Sequence, residues 1–236
     1  MGLRLNTFVN NEYYHIYNRG NSKQDIFLDD EDRDRFLKLL YLCNSEYKIR
    51  FREDIVERKI DAWDFDRGET IVSIGAWVLM SNHYHLYLTP RRFLGGEKES
   101  SVSIFLRKLG TAYSMYFNKK YKRVGKLFEG KFKSVLIESD PQAKYVFSYI
   151  HLNPVKIIDP LWKQRGVKSI KETINFLNKY KWNSYLDYKD IFRSENKIIA
   201  RTDFPEYFLD RNIFNGEIFE WITFPKEIPW GNGVGL

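Results

Sequence analysis

Cysteine is nearly absent from this sequence, which contains a single one, Cys43, among 236 residues. One thiol excludes an internal disulfide framework and any cysteine-rich zinc site. So little cysteine is compatible with a reducing compartment, and we expect a cytoplasmic protein.

Long hydrophobic runs and nucleotide-binding loops are also missing. The longest apolar stretch, around residues 74–80, is far too short to cross a membrane. The N-terminal segment MGLRLNTFVNNEYY contains no apolar core of a signal peptide, so we expect no such signal. No glycine-rich loop of the Walker type occurs, which favours chemistry that does not consume ATP.

Positive charge is plentiful but concentrated in one window. Residues 107–133 carry +8, from nine Lys and Arg and one acid, whereas the whole chain carries +7. The aromatic residues interleaved with these charges are Tyr113, Tyr116, Phe117, Tyr121, Phe128 and Phe132. Lysine and arginine follow a phosphate backbone while aromatic rings stack on unpaired bases, so the window predicts binding of single-stranded nucleic acid. The alternative is a solvated basic helix whose aromatic residues lie in the core.

The candidate DNA contacts in this window are Lys119, Lys120, Lys122, Arg123, Lys126, Lys131 and Lys133. Each is a cation that can neutralise a phosphate without reading a base.

Hydrophobic periodicity predicts a mixed α+β domain. The predicted strands cover residues 13–20, 70–80, 83–90 and 130–139. The predicted helices cover residues 29–44, 105–116 and 139–153. The first six elements follow the order β-α-β-β-α-β, which is that of a ferredoxin-like or RRM-like antiparallel sheet backed by helices. We expect Asp140 to cap the third helix, and Pro154 to end it near Asn153.

The domain is expected to span residues 1–189, with a further helix within "IKETINFLNKYKW". Residues 45–70 are highly charged and irregular, and are interpreted as an insertion. Residues 190–236 are interpreted as a C-terminal appendage of unknown role.

Two of only four histidines stand one residue apart in WVLMSNHYHLYLTP. In a strand, residues i and i+2 face the same way, so His83 and His85 share the less apolar face, while Leu86 lies on the apolar one. Two imidazoles at this spacing can hold one metal ion. A pair of surface or hydrogen-bonded histidines is the plainer alternative.

The third helix offers candidate partners for this pair. At about 100° per residue, its apolar stripe is Ala143, Val146, Phe147 and Ile150. Gln142, Tyr145, Tyr149 and Asn153 line up on the flank beside that stripe, while His151 falls on the opposite flank. The helix can therefore present Tyr149 and Asn153 to the two histidines. The alternative is that both tyrosines are amphipathic edge residues.

Four ordered motifs between about Tyr13 and Trp182 resemble a known family. They are RGNSKQDIFLDDEDRDRFLKLL, WVLMSNHYHLYL, GKLFEGKFKS and FSYIHLNPV. These motifs are similar to those of the single-tyrosine HUH transposases, in particular the REP-associated tyrosine transposases. The 45–70 segment is longer than the family's usual link, and the chain after about residue 190 has no match.

The resemblance implies a role for each matched residue. His83 and His85 would be metal ligands, Asn153 would be a polar third ligand, and Tyr149 would be the nucleophile. The cofactor would be Mg²⁺ or Mn²⁺, and the substrate single-stranded DNA beside a hairpin. Tyr149 would form a 5′-phosphotyrosine intermediate and release a 3′-OH, so that a second strand can rejoin without ATP. Related enzymes include dimers, so a homodimer is an open expectation.

Other functions remain open. Tyr145 precedes Tyr149 by one turn, and two-tyrosine HUH replication initiators carry such a pair, so an HUH replication initiator or relaxase is an alternative. Tyr145 and Gln142, on the same flank of the helix as Tyr149, are candidate accessory residues. A catalytically silent module that binds hairpin DNA or RNA would retain the same fold. An unrelated metallohydrolase would need a carboxylate base near the metal, and none stands out in the sequence.

Overall fold

A computed structural model describes residues 8–91 and 99–224 as a mixed α+β fold. Its strands are β1 (Tyr13–Arg19), β2 (Val72–Leu79), β3 (His83–Pro90) and β4 (Lys133–Ile137). Its helices are α1 (Asp30–Cys43), α2 (Ser101–Lys120), α3 (Asp140–Leu152), α4 (Trp162–Arg165), α5 (Ile170–Leu177), α6 (Tyr185–Tyr188) and α7 (Arg211–Thr223). No helix within the described ranges is long and apolar enough to span a membrane.

The four strands form one antiparallel sheet in the order β2-β3-β1-β4. This is the order expected of a ferredoxin-like unit, so the predicted fold class is confirmed. The turn between β2 and β3 is closed by a 2.8 Å hydrogen bond from the Met80 N–H to the His83 carbonyl. Across the sheet, Tyr17 of β1 lies opposite both His85 of β3 and Lys133 of β4.

One face of the sheet packs against α1 and α2. Ile16 and Leu86 from the sheet are fully buried there. Phe36 of α1 meets Tyr113 of α2 edge to face, with ring centroids 4.9 Å apart. Burial of these large side chains is the main force that holds the two helices on the sheet.

The other face forms a second core under α3. Val78 and Tyr87 of the sheet contact this core, and α7 covers α3 from outside with Phe214 and Trp221. Because α3 lies between the sheet and α7, it is buried on almost every side rather than along one apolar stripe.

The segment 190–236, predicted to be an appendage, contributes to the second core over its described part. The Phe204 ring lies 5.1 Å from the Tyr87 ring, and Ile199 forms a bridge to β2. These residues therefore pack as part of the main fold. The domain boundary itself stays a prediction, and residues 225–236 lie outside the described ranges.

The predicted insertion at residues 45–70 is anchored to the first core. It forms short helical turns at Phe51–Val56 and Ala62–Asp64. Trp63 is buried, and its ring lies 5.4 Å from that of Tyr41 in α1.

Both ends of α3 differ in detail from the sequence-based expectation. Ser139 occupies the N-cap position, and Asp140 is the first helical residue, so the predicted cap at Asp140 is wrong by one position. The α-helix ends before Asn153 as predicted, but Asn153 keeps helical dihedrals, with φ −52° and ψ −40°. The chain then continues as a 3₁₀ turn, Asn153–Ile157. Asn153 consequently remains on the helical path one turn beyond Tyr149.

Candidate active site

His83 and His85 lie on the sheet face covered by α3. Their imidazole centroids are 5.1 Å apart. His83 is 5% exposed and His85 is fully buried, so the less apolar face that the sequence predicts for them is covered rather than open. The face is polar at this point but not open, because α3 and the segment after it pack over the strand.

The His83 ring is oriented by the neighbouring Asn82. His83 Nδ1 lies 2.5 Å from Asn82 Oδ1. The Asn82 Nδ2 amide donates to the Lys23 carbonyl at 3.1 Å, which fixes the amide with its oxygen toward His83. An amide oxygen only accepts, so His83 Nδ1 carries the proton and Nε2 carries the lone pair. His83 Nε2 is buried and has no hydrogen-bond partner among the described residues.

The His85 ring is oriented by another histidine, His15 of β1. His15 Nε2 lies 2.8 Å from His85 Nδ1, and both rings are fully buried. His85 Nε2 has no hydrogen-bond partner in the described structure. When His85 Nδ1–H donates to His15, that Nε2 presents a lone pair. This is the tautomer that metal ligation requires, and ligating histidines commonly donate their second N–H in this way.

Tyr149 of α3 contacts the histidine pair directly. Its ring centroid lies 5.3 Å from that of His85, with the planes at 85°. Burial, and then the neighbouring Tyr145, raise the pKa of Tyr149, whereas contact with Asn153 lowers it. The phenol is therefore protonated at neutral pH in the free protein.

Tyr145 lies behind Tyr149 relative to the histidines. The two tyrosine rings stack 5.9 Å apart, and Tyr145 packs edge to face on Trp221 of α7 at 5.2 Å. Gln142 is placed at the start of α3, where its side-chain oxygen accepts from the Glu138 N–H at 2.6 Å. The structure thus brings Tyr149 to the histidines and holds Gln142 at the other end of the helix.

Asn153 links the histidines to the tyrosine. Its side chain influences the pKa of both His83 and Tyr149. It is almost fully buried, yet neither its oxygen nor its nitrogen makes a hydrogen bond of ordinary geometry within the described ranges. A buried amide that lacks ordinary hydrogen bonds is costly, and its oxygen is available to ligate an ion.

These side chains suit a small divalent ion. Two imidazole nitrogens and an amide oxygen, all buried and without an ordinary hydrogen bond to any described residue, are donors that Mn²⁺ and Mg²⁺ sites can use. Burial lowers the pKa of His83 to about 3 and that of His85 well below its usual value, so both imidazoles are neutral. No group of three or more His, Cys, Asp or Glu suited to a metal exists in the described part of the chain. A metal would therefore need Asn153 or the substrate to complete its shell.

Two lysines that the sequence analysis did not single out flank the site. Lys163 Nζ lies 4.1 Å from the Tyr149 ring centroid. Lys156, in the 3₁₀ turn after Asn153, and Lys163 both act electrostatically on His83 and His85. No carboxylate lies within salt-bridge distance of either ammonium among the described residues.

Two cations of the predicted basic window are already bonded to other side chains of the protein. Lys120 Nζ contacts Asp29 at 2.8 Å, Asp32 at 2.9 Å and Glu31 at 3.0 Å. Its charge is already neutralised by acids of α1 and its N-cap, which argues against its predicted contact with DNA. Arg123 donates to the Gln24 side chain at 2.7 Å.

The aromatic residues of the window divide into two groups. Tyr113 and Phe117 are buried in the first core, and Tyr116 and Tyr121 donate to Asp32. For these four rings the core alternative holds, and the prediction that they stack on bases is not supported.

The remaining two rings line a groove between α2 and the loop before β4. The groove holds roughly 770 Å³ and is bordered by Phe128 and Phe132, together with Arg107, Lys126 and Lys131. Lys131 also borders a smaller depression beside Tyr17, Arg19 and Lys133. The Tyr17 ring, which borders this depression, lies 5.7 Å from that of His85.

Sequence reasoning missed His15, Asn82, Lys156 and Lys163. His15 alternates in the strand YYHIYNR, but its pairing with His85 depends on the register between β1 and β3. The fourth histidine, His151, lies away from the site as expected, with Nε2 2.8 Å from Ser184 Oγ.

No known family profile and no curated protein matches this sequence. Solved structures that resemble it include a REP-associated tyrosine transposase bound to a REP hairpin. That match has 13% identity, covers 83% of this chain and 90% of the other, and has a TM-score of 0.48. A second is tRNA(His) guanylyltransferase from Saccharomyces cerevisiae, at 14% identity, 86% and 85% coverage, and a TM-score of 0.35. Neither similarity is high enough to establish a family or a function.

Proposed function

We propose that this protein is a metal-dependent enzyme that nicks and rejoins single-stranded DNA, with Tyr149 as nucleophile. One observation carries the proposal: among the described residues, His83 Nε2, His85 Nε2 and the Asn153 amide are buried without an ordinary hydrogen bond, and His85 and Asn153 both contact Tyr149. The four ordered sequence motifs support the same assignment. The role of the protein as a transposase rests on that sequence resemblance.

In this proposal His83, His85 and Asn153 hold a divalent ion, which would polarise a non-bridging oxygen of the scissile phosphate. The Tyr149 oxygen attacks phosphorus, and the bond from phosphorus to the 3′ oxygen breaks. The phenol proton is lost and the departing 3′ oxygen gains one, so the products are a 5′-phosphotyrosine and a free 3′-OH. Asn153 favours the reactive form of Tyr149, since its contact lowers the pKa of the phenol.

The strand would follow the groove beside α2. Phe128 and Phe132 offer faces for unpaired bases, while Arg107, Lys126 and Lys131 offer charge to the backbone. The depression at Tyr17 and Lys133 then directs the strand toward His85.

The test is a search for the covalent intermediate. The protein is incubated with Mn²⁺ and a labelled library of single-stranded hairpin DNA, then resolved on a denaturing gel. We expect a protein–DNA adduct that disappears with EDTA. Hairpin binding without any adduct would instead favour the silent binding module, and adduct formation that resists EDTA would remove the metal from the proposal.

A further inference from the structure

Among the described residues, the charged side chains that act electrostatically on the His83 and His85 rings are all positive. The electrostatic influences on His83 come from Lys156, Arg19 and Lys163. On His85 they come from the other histidines of the site and from the same two lysines. Arg19 is neutralised by an ion pair with Glu129, so the two lysines carry the uncompensated charge.

Lys156 acts electrostatically on Lys163. Burial, and then repulsion from Lys156, lower the pKa of Lys163 to about 8. Burial also lowers the pKa of Lys156. Two partly desolvated ammonium groups near the same histidines favour an anion in that region.

Lys163 also lies at the mouth of the site. Lys163 as a whole keeps solvent-exposed surface, although its ammonium end packs against the buried Tyr149 ring. An incoming strand therefore meets Lys163 before it reaches the phenol.

We propose that Lys156 and Lys163 form a phosphate-binding subsite beside Tyr149, and that they make metal binding depend on the bound strand. The inference rests on the proposed function for the identity of the anion, a DNA phosphodiester. Without DNA, the charges of Lys156 and Lys163 repel a divalent ion, and the uncharged ligands do not offset that repulsion. With DNA, the phosphate neutralises the lysines and adds an oxygen donor. By linkage, metal and strand then strengthen each other's binding to the same degree.

The variants are Lys156→Met, Lys163→Met and the double variant, since methionine keeps much of the side-chain length without charge. Lys171→Met is the matched control, because Lys171 is an exposed lysine of α5. Urea unfolding checks that each variant folds.

The first measurement is Mn²⁺ affinity without DNA, from the electron paramagnetic resonance signal of free Mn²⁺. We expect the double variant to bind Mn²⁺ on the order of 5-fold more tightly than wild type, because a repulsion has been removed. The second measurement adds a short single-stranded oligonucleotide, in a Tyr149→Phe background that keeps the strand intact. The oligonucleotide should tighten Mn²⁺ binding about 5-fold or more with both lysines present, and much less in the double variant.

The third measurement is metal-free. In EDTA, the salt dependence of oligonucleotide binding, followed by fluorescence anisotropy, should fall by about one counterion for each lysine removed. Lys171→Met should change none of the three readouts.

The outcomes separate the two proposals. Unchanged Mn²⁺ affinity and unchanged salt slope in the double variant would overturn the subsite, even if wild type still forms the covalent adduct. Lysine effects without any adduct would sustain the subsite and overturn the nicking activity. Absence of Mn²⁺ binding in every protein, with and without DNA, would overturn the dependence of metal on strand.

Discussion

Lys120 and Lys163 both lie against tyrosine rings, yet their surroundings are opposite. Lys120 Nζ is 5.2 Å from the Tyr121 ring centroid, and Lys163 Nζ is 4.1 Å from that of Tyr149. Burial lowers the pKa of Lys120, but hydrogen bonds to its acids outweigh burial and raise it. No described carboxylate bonds to Lys163, and burial together with Lys156 lowers its pKa to about 8. Lys120 therefore belongs to a structural ion-pair cluster. Lys163 is a cation with no carboxylate partner among the described residues.

The comparison shows why charge counted along a sequence predicts function poorly. The basic window carries +8, more than the net charge of the whole chain, but its Lys120 is paired with acids that lie up to 91 residues away in the chain. Only two lysines, Lys156 and Lys163, are described beside the histidines and Tyr149, and neither forms a salt bridge with a described carboxylate. What a cation binds depends on which carboxylates the fold brings to it.

The largest expected effect tests whether Tyr149, the tyrosine beside Lys163, is the nucleophile. Tyr149→Phe keeps the buried ring and removes only the hydroxyl, so it should reduce adduct formation about 10³-fold or more while hairpin binding persists. Tyr145→Phe is the matched control and should stay within a few-fold of wild type. Mass spectrometry of the trapped adduct should place the nucleotide on Tyr149. An adduct on Tyr145 would transfer the chemistry to the other tyrosine and favour a replication initiator.

The second prediction concerns the hydrogen bond between His85 and His15. His15 is a neutral partner at a position where metal-ligating histidines commonly have a carboxylate. His15→Leu removes the acceptor for His85 Nδ1–H and should weaken Mn²⁺ binding by about 10- to 100-fold, because the ligating tautomer loses its support. His15→Gln offers an amide oxygen at a similar reach and should restore part of the affinity. Calorimetry in the presence of oligonucleotide measures both. Equal losses in the two variants would mean that His15 acts only through packing.

The third prediction sets the two lysines against each other in stability. Lys120→Met leaves the buried Asp32 with less compensation, so it should lower the free energy of unfolding by about 2 kcal/mol. Lys163→Met removes a cation that has no acid partner, and should change stability by no more than about 0.5 kcal/mol. Urea unfolding compares the two. A larger loss in the Lys163 variant would reverse the assignment of structural and functional roles.

The strands, the helices and the central residues of the candidate site could be predicted because they depend on patterns within short stretches of sequence. The alternation in HYHLYL and the helical spacing of Tyr149 and Asn153 are properties of a few neighbouring residues, and they fix which side chains share a face. The partners of those residues were not predictable in this way. His15 reaches His85 only through strand register, and Lys163 reaches Tyr149 only after the chain has turned back over α3. The burial of the histidines likewise depends on α3, which the strand sequence does not encode.

The smallest effect concerns the exposed lysines of the basic window. Lys119 and Lys122 are exposed, whereas Lys120 is held by α1 and its N-cap. Replacing Lys119 and Lys122 by Met should weaken binding of any single strand and lower the salt slope by about one for each phosphate that is no longer neutralised. Lys120→Met should leave that slope unchanged, because its charge is already neutralised in the free protein. Lys120→Met could instead lower the salt slope as much as replacement of an exposed lysine does. The ion pairs of Lys120 would then have to open on DNA binding. In that case, the presence of an ion pair in the free protein would not predict which lysines contact the strand.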